Sequence, residues 1–328
     1  MLVVLRVKEI PCGSPRGIIV FIGKSSRDNE NSNVTFALIQ ETDFCILIVS
    51  DRYFGYFVGN IAEMKITTSL FGLLLPVFLP SESIGQENSW FKKTLPAFDI
   101  NYTISDTPNI EVYSKLVVNG IAATEKFFDS SLSNRFQVVI HPSRKSLDST
   151  WEKEWQLANV KSECWMVASG VANRMDVIAP MRWDELACEH RYADSVATQH
   201  LITHEIVHVF HTQLNASPDF SETENLDWFV EGLATYVSGQ MDAKRLSDLN
   251  KGLADKSIPA SLDEFWTGNL KYSLSGSIVM YIEKTYGLNK LKELLPLAKK
   301  DEILSSLGVS ENELLTAWHN YMGDREGH

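Results

Sequence analysis

The chain has 328 residues and is 44% hydrophobic, so a sizeable core is available, and one large domain or two lobes would both fit. Its formal net charge of -12 argues against clustered Lys and Arg for phosphate contacts, and so against a nucleic-acid partner. None of the cysteines (Cys12, Cys45, Cys164, Cys188) forms a CxxC pair, which speaks against a thiolate zinc site.

Residues 1–63 alternate apolar fragments, at 17–23 and 44–49, with polar stretches, and read poorly as a domain. Met64-Lys65 then precedes an apolar run from Ile66 to Leu79 and the small, polar Pro80-Ser81-Glu82-Ser83. That is the order of a secretory signal peptide. The run is shorter than the roughly twenty residues of a membrane span, and Pro76 interrupts it, so no stable span is expected. The expectation is that Met64 is the biological start, with 1–63 an upstream extension and 64–83 a signal peptide. The product would then be secreted, periplasmic or held in the cell envelope. A buried strand or helix of a genuine N-terminal domain is the alternative.

Residues 84–193 read as an α/β subdomain. A strand near Phe98 precedes a helix from Glu111 to Phe128, whose Val112, Leu116, Ile121 and Phe127 fall near helical spacing. Arg135 to Ile140 is a strand closed by His141-Pro142-Ser143. Asp148 to Leu157, with Trp151 and Trp155 one turn apart, predicts a short helix. Cys164 and Cys188 flank the next region. A bridge made in an oxidising compartment and two buried free thiols both fit that spacing. Met175 to Ala179 reads as a strand ended by Pro180, either an edge along which a substrate backbone would add or an ordinary sheet strand. Gly170 marks a bend or a close backbone approach. Glu189-His190-Arg191 is a polar cluster, either a support for the next helix or a solvated turn.

Residues 194–328 read as helical. Asp194 or Ser195 caps a largely apolar segment that runs unbroken by Pro or Gly to Asn215. It contains His204-Glu205-Ile206-Val207-His208. Four helical residues advance about 400°, so the two imidazoles lie within about 40° of one face, as two ligands of one zinc must. Glu205 lies on the same side, placed to act on a metal-activated water without itself ligating. At this composition HExxH arises by chance about once in a hundred chains, so a third ligand has to be found. The HExxHxxGxxH pattern fails at His211 and at Leu214. Asp227 to Tyr236 predicts a second helix, capped by Asp227 and ended by Gly239, that carries Glu231. His204, His208 and Glu231 then make a His₂Glu zinc site. Gly232 costs such a helix about 1 kcal/mol, which close packing on the first helix at the metal would explain.

His204-Glu205-Ile206-Val207-His208 followed by Trp228-Phe229-Val230-Glu231-Gly232-Leu233-Ala234-Thr235-Tyr236 resembles the gluzincin peptidases, in particular the peptidase MA-like family. The resemblance extends through Tyr272-Ser273-Leu274-Ser275-Gly276-Ser277 and Tyr281 to Gly287, and covers roughly residues 97–322. It implies an α+β, thermolysin-like zincin fold: a small mixed sheet subdomain followed by a mostly helical one, with the cleft between them. It also implies a peptide or protein substrate. One departure is Gly170-Val171-Ala172-Asn173-Arg174, which stands where related aminopeptidases have Gly-Ala-Met-Glu-Asn. The glutamate that would hold a free amino group is missing, which tells against aminopeptidase action.

Ser273 to Tyr286 is helical by pattern and ends at Gly287. Tyr272 at its start is the candidate oxyanion donor, with Tyr236 as competitor. Ser310-Glu311-Asn312-Glu313 is a capping box opening a last helix. The expected activity is zinc-dependent peptide hydrolysis with Glu205 as general base. The alternatives are a non-catalytic, zinc-stabilised binding protein and a hydrolase of non-peptide amides.

Overall fold

A computed structural model describes residues 18–25, 32–41, 44–51, 53–58, 89–156 and 158–324. The chain divides into two units, residues 1–80 and 81–328. The 64–83 segment expected to be a signal peptide lies outside the described residues.

In the first unit β1 (Ile18–Ser25), β2 (Ser32–Glu41), β3 (Phe44–Asp51) and β4 (Tyr53–Val58) pair antiparallel in sequence order. The apolar fragments 17–23 and 44–49 fall largely within β1 and β3, which are rich in the β-branched and aromatic residues that suit a pleated sheet.

The second unit is α+β. It opens with β5 (Trp90–Thr94), β6 (Phe98–Thr103), α1 (Ile110–Phe128), β7 (Phe136–His141), α2 (Arg144–Glu154), β8 (Ala168–Val171), β9 (Arg174–Ile178) and the short α3 (Trp183–Leu186). The mixed sheet has the order β5-β6-β7-β9-β8. Its β6–β7 and β7–β9 pairs are parallel. Parallel neighbours need a crossover, and α1 and α2 lie in the two connections. Ile100, Val138, Ile140, Met175 and Val177 of the sheet share one core with Val117 and Ile121 of α1.

The helical part follows: α4 (Ser195–Thr212), α5 (Asp227–Val237), α6 (Ala243–Ala254), α7 (Lys271–Tyr286), α8 (Leu288–Leu294), α9 (Lys300–Leu307) and α10 (Glu311–Asp324). Its core gathers Phe229 and Leu233 of α5, Ile278 and Val279 of α7, Leu291 of α8 and Trp318 of α10. Helix α4 serves both cores, giving Ile202, Ile206 and Val209 to the sheet side and Val207 and Phe210 to the helical side. Every residue from Leu201 to Thr212 is buried. Among the described residues no helix is long and apolar enough to cross a membrane.

Several expectations need correction. The helix expected over 148–157 begins earlier, at Arg144, because Ser143 caps it by accepting from the Ser146 N–H. The strand expected over 175–179 lies inside the sheet between β7 and β8, and the edge beside α4 is the shorter β8. The hairpin joining them leaves only Ala172 and Asn173 between the paired Val171 and Arg174. Asp227 is the first residue of α5 and does not cap it; Leu226 stands at the cap with no side-chain bond. Other expectations stand. Asp194 caps α4 through Ala197, and the Ser310–Glu313 capping box forms in both directions. Of the two readings left open for Cys164 and Cys188, the disulfide is the one the structure has.

Candidate metal centre

Helices α4 and α5 bring together three groups that are up to 27 residues apart in sequence. One donor atom from each of His204, His208 and Glu231 lies within 4.8 Å of the others. The Nε2 atoms of His204 and His208 are 3.1 Å apart. The Glu231 Oε2 is 3.3 Å from the first and 3.6 Å from the second. A tetrahedral zinc with bonds of about 2.0–2.1 Å needs donor separations of about 3.3 Å, so the set fits the ion without rearrangement. The chemistry of the donors fits as well. His204 Nδ1 lies 3.1 Å from Gln240 Oε1, an acceptor, so the ring proton sits on Nδ1 and the Nε2 lone pair faces the centre.

Charge is concentrated here. Burial favours the neutral carboxyl of Glu231, yet the two histidines outweigh it and hold its pKa far below the ordinary carboxylate range. For His208 burial opposes protonation, and the Glu231 carboxylate overcomes it. Glu205 is buried beside them, and desolvation raises its pKa. His204 and His208, and the Gly170 N–H, act in the other direction. His211 is on the same helix but outside the metal set. Burial, with the charge of His208, lowers its pKa to about 3, and its Nε2 donates to Leu295 O.

Gly170 explains how β8 comes so near this helix. A Cβ built on it would sit 2.1 Å from the carbonyl oxygen of Glu205, so only glycine lets the strand lie against the helix at the candidate base. The close approach read from the sequence is therefore real. Gly232 does not serve the contact expected of it: a Cβ there would meet Ser275 O at 2.2 Å, so it seats α5 on α7 and not on α4.

Of the two tyrosines, Tyr272 is at the centre. Its ring is 6.3 Å from that of His204, edge to face. Burial, then the charges of Glu231 and Glu205, raise its pKa well beyond the ordinary range, so it remains a proton donor. Tyr236 points elsewhere and donates to Glu283 Oε2 at 3.0 Å. Gln240 was not anticipated. It lies just past the Gly239 that ends the α5 segment, and an isolated Gln carries no ligand signature. Nor were Arg245 and Lys271, which lie over the Tyr272 ring at 5.2 and 5.3 Å. Glu189-His190-Arg191 does not reach the ligands; His190 Nε2 instead bonds to Trp165 O.

No protein-family model matches the chain, and no curated protein matches it. Among solved structures it is similar to an M1 zinc metallopeptidase from Deinococcus radiodurans, at 12% identity and a TM-score of 0.42, over 92% of this chain and 61% of that one. A point mutant of that enzyme gives 12% identity, a TM-score of 0.41 and the same coverage. A mutant two-domain M1 zinc metallopeptidase bound to L-arginine gives 12% identity and a TM-score of 0.41, over 93% of this chain and 61% of that one. The chain thus spans about 61% of the length of these structures.

Proposed function

We propose that the protein is a zinc-dependent metallopeptidase of gluzincin type. The observation that carries this reading is the convergence of His204, His208 and Glu231 with Glu205 buried beside them. When bound, zinc supplies an acidified water and polarises the scissile carbonyl. His204, His208 and Glu231 hold the ion, and Gln240 fixes the ring of His204. Glu205 takes the proton of the attacking water and delivers it to the leaving amine. The phenol of Tyr272 donates to the oxyanion as charge develops there. Strand β8, at the sheet edge and against the base through Gly170, is the rail for the substrate backbone. The Cys164–Cys188 bridge supports work in an oxidising compartment, secreted or in the cell envelope.

The test is the Glu205→Gln variant of the full chain, assayed for zinc content and for cleavage of a mixed peptide library. Retained zinc with hydrolysis abolished is the expected outcome. Turnover that survives the substitution would reject Glu205 as base. Zinc in the wild-type protein without cleavage would reject the peptidase reading in favour of a zinc-stabilised binding protein.

A further inference from the structure

Two cations stand beside the candidate centre without anions of their own. Lys271, half-buried, holds its Nζ 4.3 Å over the ring of Trp165, 4.6 Å over Trp266 and 5.3 Å over Tyr272. The Arg245 guanidinium lies 5.2 Å over the same Tyr272 ring and donates from Nη1 to Gln240 O. Neither makes an ion pair among the described residues. This stands out among the described half-buried lysines. Lys290, Lys292 and Lys300 all find carboxylate or carbonyl partners. The carboxylates that act on Tyr272 are Glu231 and Glu205, both committed to the centre, and the more distant effect of Glu189.

The position of the pair is fixed from both sides of the site. Trp165 follows the bridged Cys164 and precedes β8, while Trp266, Tyr272 and Arg245 belong to the helical part. Trp266 and Tyr272 brace each other edge to face at 4.8 Å. The aromatic faces stabilise an ammonium without neutralising it. A carboxylate arriving beside the Tyr272 ring would meet charged donors that have no competing anion to release.

Resting on the peptidase reading, we propose that Lys271 and Arg245 form a carboxylate subsite that selects peptides carrying an anionic group beside the scissile bond. That group is an acidic side chain or the C-terminal carboxylate, and the test separates the two. Full-length, zinc-loaded Glu205→Gln protein is titrated, with tryptophan fluorescence as readout, against three N-acetylated tetrapeptides. One is neutral and C-terminally amidated, one is its free-carboxylate form, and one is an amide with a single glutamate. The subsite predicts that at least one anionic peptide binds about tenfold tighter than the neutral one. Lys271→Gln and Arg245→Gln, singly and together, should erase that preference and leave the neutral peptide's affinity unchanged, while Lys271→Arg should keep it. Equal affinity for all three peptides, binding of none, or a preference that survives the double substitution overturns the proposal. Cleavage of all three peptides by wild-type protein is measured alongside. Cleavage without charge preference removes the subsite alone, and charge preference without cleavage removes the peptidase reading alone.

Discussion

Gln240→Ala leaves all three candidate ligands in place and deletes only the acceptor 3.1 Å from His204 Nδ1. Zinc affinity is expected to fall about 10–100-fold, measured by competition with a chromogenic chelator. His208→Ala, which removes a ligand, should abolish stoichiometric zinc. The contrast shows what single residues revealed in advance. The convergence of His204, His208 and Glu231 was legible because helix geometry turns sequence spacing into a direction in space, and because the chemistry of zinc restricts the ligand types. Gln240 was not, because the turn at Gly239 brings it back to His204 across 36 residues, and amide side chains are common in turns. Tyr236 and Tyr272 were indistinguishable by type. The bond from Tyr236 to Glu283, on the neighbouring helix, separates them, and that is a tertiary fact.

Elements impose a different kind of constraint, because two of them can meet only if a side chain is missing. Gly170→Ala would place a methyl group 2.1 Å from a backbone oxygen that cannot move without shifting α4. Overpacking of this kind costs about 1–3 kcal/mol, and urea denaturation should record it together with a loss of activity. The sequence flagged the glycine but not the strand around it, since four residues of Ala168–Val171 are too few to show alternation. For Gly232 it flagged a close contact but named the wrong partner. Spacing says which face of a helix is buried, not which neighbour buries it.

The sheet carries a pH-sensitive tie as well. Asp176 of β9 accepts from His141 Nε2 of β7 at 2.8 Å and from Arg174 through two bonds. Burial alone would raise its pKa, but these bonds outweigh it and leave it below the ordinary 3.8. A depressed folded pKa means stability that is fully present above the unfolded value and lost as pH falls through the folded one. Asp176→Ala is therefore expected to cost about 3–5 kcal/mol at neutral pH, because it strands buried partners. The deficit should shrink well below pH 3.8 in acid-titrated chemical denaturation.

At the scale of the whole molecule, α4 carries two of the candidate ligands and, like α1, gives side chains to both cores, so metal and fold should be linked. Zinc at about one hundred times its dissociation constant adds about 2.7 kcal/mol to a state that alone binds it. Chelation should lower the thermal midpoint by several degrees, and re-addition should restore it. The His208→Ala protein should show no such response. The Cys164–Cys188 bridge closes a loop with a sequence separation of 24 and is expected to contribute about 2–4 kcal/mol, read from the Cys164→Ser/Cys188→Ser double variant.

The complete burial of α4 from Leu201 to Thr212 also bears on how the protein breathes. A helix with no solvent-facing side cannot open by fraying along its length; its amides reach water only when the cores on both flanks come apart. Hydrogen–deuterium exchange should find this segment among the slowest in the chain, and should find it slow in the chelated protein too. An ion held there could then leave through its ligands while the helix beneath stays folded, and an emptied centre would be ready to be refilled without refolding.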